Sequence, residues 1–443
     1  MPKATFQFPK NFLWGTATSS HQVEGQNTNN SWSQWENEAD RILENQKAGK
    51  ACDWWAGRWK EDFDRAQESG QNAHRLSIEW SRVQPARDRW DENALDYYRE
   101  MIRGLVNRGI TPMVTLHHFS DPIWLMEQGG WENDDTPILF EKYVYKVVQA
   151  LKEYVNLWVT INEPNIYTYF GYLEGTFPPG KKSPKSAYIV MRNLLRGHTA
   201  AYHCIHRAQI ESRVGIAHHI QVFKPARTWS PLDKWITNLH ARNFNLSFAD
   251  TLINGKFRFL FKSEKIKEAI NTQDFFGLNY YSTSLVRFSA LAFSEFLGKH
   301  SFPPDTEISP SNFIANVPEG LFTALKWAQR SGLPILVTEN GIEDASDDLR
   351  RRYLVEHLNQ LWRAYSFHNT PIIGYFHWSL LDNFEWERGW SQRFGLWGLN
   401  VDTQQRIRRP SVDLYAEICR TNALDSDIVL KFALQSFKKL FPG

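Results

Sequence analysis

Leu157-Trp158-Val159-Thr160-Ile161-Asn162-Glu163-Pro164 is a run of β-formers that stops on a glutamate and a proline. Valine, isoleucine and tryptophan favour a pleated, buried strand, and proline ends it. Seven further runs share this character: residues 12–19, 73–80, 111–119, 213–220, 274–282, 334–341 and 372–380. Longer segments with helical periodicity lie between them, such as 91–108 and 140–153. Eight strands separated by helices predict a parallel sheet, and eight is the number that closes a barrel. The expected fold class is α/β: a single (β/α)8 TIM barrel with long βα loops over residues 1–424. A short C-terminal extension, 425–443, follows. Its apolar residues Ile428, Leu430, Phe432, Leu434, Phe437 and Phe441 stand among Lys431, Lys438 and Lys439. A helix packed on the barrel is the reading, with an oligomer contact or a membrane surface as alternatives.

Polar and aromatic residues gather where the runs end: His117, His118, Asn162, Glu163, Asn279, Tyr281, Glu339 and Trp378. In a barrel these ends converge on one face, where the βα loops build a site. One such residue is explained by a structural hydrogen bond. Two glutamates among them, each costly to bury, point to a function for the set. The longest connections, 22–72, 167–198 and 283–332, are expected to wall the pocket.

Composition sets bounds. The chain has 443 residues and a formal net charge of +2, so nucleic acid is not an expected partner, and neither is an acidic membrane. Its 19 Trp, 16 Tyr and 29 Phe suit sugar stacking or a large aromatic core equally. Three sparse cysteines, Cys52, Cys204 and Cys419, argue against a disulfide framework. The N-terminus shows no apolar signal region, and the expected location is the cytoplasm.

A pair of facing carboxyls is what glycosidic cleavage requires, and two motifs supply them: Thr160-Ile161-Asn162-Glu163-Pro164 and Val337-Thr338-Glu339-Asn340-Gly341. Together with Phe8-Pro9-Lys10-Asn11-Phe12-Leu13-Trp14-Gly15, Gln22-Val23-Glu24-Gly25, Trp378-Ser379-Leu380-Leu381-Asp382-Asn383-Phe384-Glu385-Trp386 and Arg393-Phe394-Gly395, the chain resembles glycoside hydrolase family 1 from about residue 8 to 422. The resemblance implies retaining hydrolysis of terminal β-D-glycosides, β-glucosides first, with β-galactosides and β-fucosides next. It implies Glu163 as acid/base and Glu339 as nucleophile, with Arg75 and Tyr281 holding Glu339. Gln22, His118, Asn162, Asn279, Glu385 and Trp386 are implied to surround the sugar, Trp378 to floor it and Phe394 to close it near C6. No cofactor and no metal are implied. The partner is a small β-glycoside or short oligosaccharide.

Retention implies a carboxyl separation of about 5–5.5 Å. Two charges at that distance repel by roughly 3 kcal/mol at an effective dielectric near 20. The expected resting state therefore has Glu163 protonated and Glu339 kept ionised by Arg75.

Two departures from the family pattern stand out. His118-Phe119 occupies a place where His-Trp is common, which removes an indole donor. His218-His219 follows the fifth strand, where Asn is more usual, and either lines the leaving-group side or serves the fold. Rival readings have their own marks. Glu385 would repel a sugar phosphate, and Glu163 argues against thioglucosides, whose enzymes typically carry Gln there. A catalytically silent glycan-binding or partner-binding barrel usually lacks one of the two glutamates. A metal site built on His203, Cys204 and His206, or on the His-His pairs, would need adjacent side chains to point one way, which helix and strand geometry disfavour.

Overall fold

The structure is a computed structural model that describes residues 4–292 and 295–442. Eight parallel strands form a closed barrel. They are β1 (Leu13–Ala17), β2 (Ala73–Ser77), β3 (Thr111–His117), β4 (Leu157–Asn162), β5 (Arg213–His219), β6 (Phe275–Asn279), β7 (Ile335–Asn340) and β8 (Ile372–Trp378). Each pairs with the next in sequence, and β8 closes on β1. The barrel expected from the eight runs is therefore the fold observed. Every residue of β4 and β7 is buried, as a sheet covered on both faces requires.

The observed strands are shorter at their C-terminal ends than the predicted runs, because the last residues leave the ladder to face the site. Register shifts between Leu278 and Asn279 in β6 and between Val337 and Asn340 in β7 re-aim those ends.

The main surrounding helices are α1 (Trp59–Glu68), α2 (Glu92–Val106), α3 (Thr136–Leu151), α4 (Pro184–Ala208), α5 (Pro231–Ala241), α6 (Ser247–Asn254), α7 (Pro318–Ala328), α8 (Asp348–His368) and α9 (Pro410–Thr421). Their starts are legible in the sequence. Asp91, Ser183 and Ser230 cap α2, α4 and α5 with side-chain acceptors, and Pro184, Pro231, Pro318 and Pro410 open their helices where a missing N–H does no harm.

The long connections carry more structure than loops. Most of 167–198 belongs to α4 and to the shorter helix Pro164–Tyr169. Within 283–332, strands Thr283–Phe288 and Gly298–Ser301 join Val222–Pro225 in a small sheet before α7. Residues 293–294 of that stretch lie outside the described residues, as do 1–3 and 443.

The C-terminal tail is two short helices, Ser426–Phe432 and Phe437–Leu440, rather than one. Strand Ala423–Asp425 runs across the expected boundary at 424 and pairs with Thr5–Gln7. Arg351 of α8 donates to the Phe432 carbonyl at 2.7 Å, and Phe441 stacks on Phe6 at 5.0 Å. Among the described residues no helix is long and apolar enough to cross a membrane.

Candidate active site

The C-terminal ends of the strands open into a cavity of about 920 Å³, and Glu163 and Glu339 both line it. Glu163 follows β4 with φ at 42° and precedes Pro164, the first residue of its helix. A left-handed glutamate costs on the order of 1–3 kcal/mol and is held only by firm surroundings. Its N–H donates to the Ala217 carbonyl at 2.8 Å, which anchors it to β5.

The two carboxyls are held differently. Glu339 has one donor on each oxygen: Arg75 Nη1 on Oε1 at 2.5 Å and Tyr281 Oη on Oε2 at 2.6 Å. Glu163 takes both of its donors on Oε1, from Asn279 Nδ2 at 2.8 Å and from the His219 ring at 2.9 Å. Its Oε2 accepts no bond from the described residues. The first pattern suits a fixed anion, and the second leaves one oxygen available for a proton.

Burial pushes the Glu339 carboxyl up to about 7, with Arg75 pulling it down and the Glu163 charge adding to the rise. Arg75 and the Tyr281 hydroxyl oppose this rise and favour the ionised form, as expected of groups that hold Glu339.

A polar network behind the cavity fixes these orientations. Arg75 is fully buried and uses its guanidinium on Thr115 Oγ1 at 2.9 Å, Asn162 Oδ1 at 2.7 Å and Glu339. Because Asn162 Oδ1 accepts from Arg75, its Nδ2 faces His118 Nε2 at 3.1 Å. Burial, then Arg75, hold the His118 ring well below its usual range, so it is neutral. It accepts from Asn162 at Nε2, carries its proton on Nδ1, and Nδ1 meets no partner among the described residues. His117 turns the other way, to Asp121 at 3.1 Å, as alternation along a strand requires. Asn279 accepts from Thr338 Oγ1 at 2.6 Å, which orients its amide toward Glu163.

Trp378, Glu385, Trp386 and Phe394 complete the inner wall. Burial drives the Glu385 carboxyl well above its usual range, and Glu387 and Glu339 add to the shift. Gln22, Arg75 and Asn279 do not line the cavity. The Gln22 amide donates to Asn383 Oδ1 at 2.9 Å, the Phe384 carbonyl at 2.8 Å and Glu385 Oε2 at 3.2 Å, so it stands behind Glu385 as a brace. Phe119 lines the cavity with φ at 67° and packs against Trp386 at 5.3 Å. Ile166, Tyr169, Phe170, Phe223, Phe244 and Phe296 also line the cavity, together with the charged Glu174, Lys182, Glu387 and Arg388.

The two rival histidine groups disperse. His206 bonds Asp274 at 2.9 Å, and the three cysteines are buried and free. His218 stacks on Phe276 at 4.4 Å and bonds Gln273, so its role is in the fold. His219 is the residue that sequence reasoning left undecided, and it reaches the catalytic candidates. Thr115 and Thr338 escaped notice. For Thr338 the position next to Glu339 was the available signal.

A parallel barrel with two buried glutamates in one deep cavity at its strand ends defines a class, the glycoside-cleaving barrel hydrolases. The family model described as "Glycosyl hydrolase family 1" matches residues 4–424, and the chain belongs to that family of enzymes. It is similar to β-glucosidase A of Thermotoga maritima, 32% identical over 447 residues, covering 95% of this chain and 99% of that protein. It is also similar to a β-galactosidase of Pyrococcus woesei, 29% identical over 506 residues, covering 95% and 98%. The solved structure of a β-glycosidase from Pyrococcus horikoshii superposes with a TM-score of 0.90 at 37% identity, covering 97% of this chain and 98% of that one.

Proposed function

We propose that the protein hydrolyses terminal non-reducing β-D-glycosides of neutral sugars with retention, through a covalent intermediate on Glu339 and with Glu163 as acid/base. The observation that carries this reading is the unequal anchoring of the two carboxyls. In the first step a Glu339 oxygen bonds the anomeric carbon while the bond from that carbon to the leaving oxygen breaks. The proton on Glu163 Oε2 passes to that oxygen. In the second step Glu163 takes a proton from water, the water oxygen bonds the anomeric carbon, and the ester to Glu339 breaks.

Asn162 offers a donor for sugar hydroxyls beside the His118 ring, Glu385 the acceptor, and Trp378 the apolar floor. β-Glucosides are the first choice, with β-galactosides and β-fucosides next. The names of the relatives support both of the first two. A 6-phosphate beside Glu385 would put its charge in the same buried, carboxyl-rich surroundings that already disfavour ionisation there. The aromatic lining contributed by Tyr169, Phe170, Phe223 and Phe244 suits an apolar or aromatic leaving group. Three buried, unpaired cysteines support a reducing compartment, the cytoplasm.

The test is Glu339→Gly on p-nitrophenyl β-glucoside. Hydrolysis should fall by several orders of magnitude, and azide should restore turnover and give the inverted glycosyl azide. A variant that kept near wild-type hydrolysis would overturn the nucleophile assignment. A wild-type protein inert on a panel of aryl β-glycosides would favour a silent binding barrel instead.

A further inference from the structure

His219 is the last residue of β5, largely buried, and it lines the cavity. Its Nδ1 lies 2.9 Å from Glu163 Oε1, the same oxygen that accepts from Asn279. The ring lies nearly parallel to Tyr281 at 5.8 Å and meets Phe244 edge-on at 5.7 Å, so its plane is fixed from both sides. We infer that His219 is a positioning residue for the acid/base: its Nδ1–H bond to Oε1 reserves Oε2 for the leaving group, and its ionisation couples the strength of that acid to pH. This inference rests on Glu163 being the acid/base.

Two donors on one carboxyl oxygen stabilise that oxygen in its unprotonated form. The proton of the neutral acid then belongs on Oε2. An unanchored carboxyl would share its proton between both oxygens and rotate, which weakens general acid catalysis.

The charge environment of the ring is well defined. Glu163 faces it from the end of β4, Glu339 from β7, and Tyr281 from the turn after β6, with Arg75 behind Glu339. Gln221 supplies a neutral hydrogen bond. His240 and His300 lie farther out, beyond Phe244 and Phe223. Burial disfavours charge on the ring, but Glu163 and then Glu339 outweigh it and hold the imidazole above its ordinary 6.5. Loss of the His219 proton therefore removes a positive charge held 2.9 Å from Glu163 Oε1. The basic limb of kcat/KM should fall over two ionisations rather than one.

The experiment compares an alkyl β-glucoside, which needs a proton on its leaving oxygen, with 2,4-dinitrophenyl β-glucoside, which does not. His219→Ala should lower kcat/KM on the alkyl substrate at least about tenfold more than on the dinitrophenyl one, within the 10²–10⁴-fold reach of general acid catalysis. His219→Gln keeps a donor without a charge, so it should recover part of the alkyl rate. In both variants the basic limb should become a single ionisation. Equal losses on both substrates would make His219 a packing residue and overturn the inference, as would a limb of unchanged shape in both variants. Glu163→Ala on the same two substrates keeps the outcomes distinct. If it fails to discriminate them, the acid/base assignment itself is wrong; if it discriminates and His219→Ala does not, only the role of His219 falls.

Discussion

At the scale of single residues, the site sets two buried carboxyls against one buried guanidinium. Raising Glu339 from 4.5 to about 7 means that its ionisation is disfavoured in the folded state. The sign follows: the folded protein binds this proton more tightly than the unfolded chain, so its stabilising effect is complete below about pH 4.5. That effect is lost as pH rises through 7. Glu339→Gln removes this titration while keeping the shape. Between pH 5 and 8 the wild type should therefore lose Tm relative to Glu339→Gln, which differential scanning calorimetry in matched buffers measures. A parallel fall in both proteins would show that Glu339 does not carry the effect.

At the scale of elements, strand ends and helix starts place the site, and close packing keeps them there. Tyr280 follows β6 beside Tyr281 and donates to the Val317 carbonyl at 2.7 Å, just before α7. A Cβ on Gly320 of α7 would lie 1.8 Å from Tyr280 Oη and 2.3 Å from Thr283 Oγ1. Helix propensity alone says that Gly320→Ala gains about 1 kcal/mol. The clash decides the other way, because both contacts are with buried, bonded hydroxyls. The variant should be destabilised by about 1–3 kcal/mol in urea. Its kcat should also fall as Tyr281 shifts against Glu339. A more stable Gly320→Ala would refute this account of how α7 seats the end of β6.

At the scale of the whole molecule, the chain returns to its own start: Ala423–Asp425 pairs with Thr5–Gln7, and the two terminal helices cover the strand pair and α8. Glu356 of α8 binds both Ser436 Oγ at 2.8 Å and Lys439 Nζ at 2.7 Å. None of these residues lines the cavity. Truncation after residue 425 should lower Tm by at least about 3 °C, through exposed apolar surface, and leave kcat/KM at 25 °C within twofold. Loss of activity in a truncated chain that is still folded would connect the tail to the site. The barrel and the strand-end positions of its two glutamates are legible in the linear chain. Strand alternation, helix caps and polar strand ends are local patterns, and Leu157 to Pro164 carries all it needs to stop a strand on Glu163. What each group contacts there follows from the folded arrangement alone. Gln22 stands behind Glu385, burial and Arg75 act on Glu339 in opposite directions, and His219 rather than His218 reaches Glu163. Each of these depends on the desolvation and distance between residues far apart in the chain, and spacing along a sequence encodes neither.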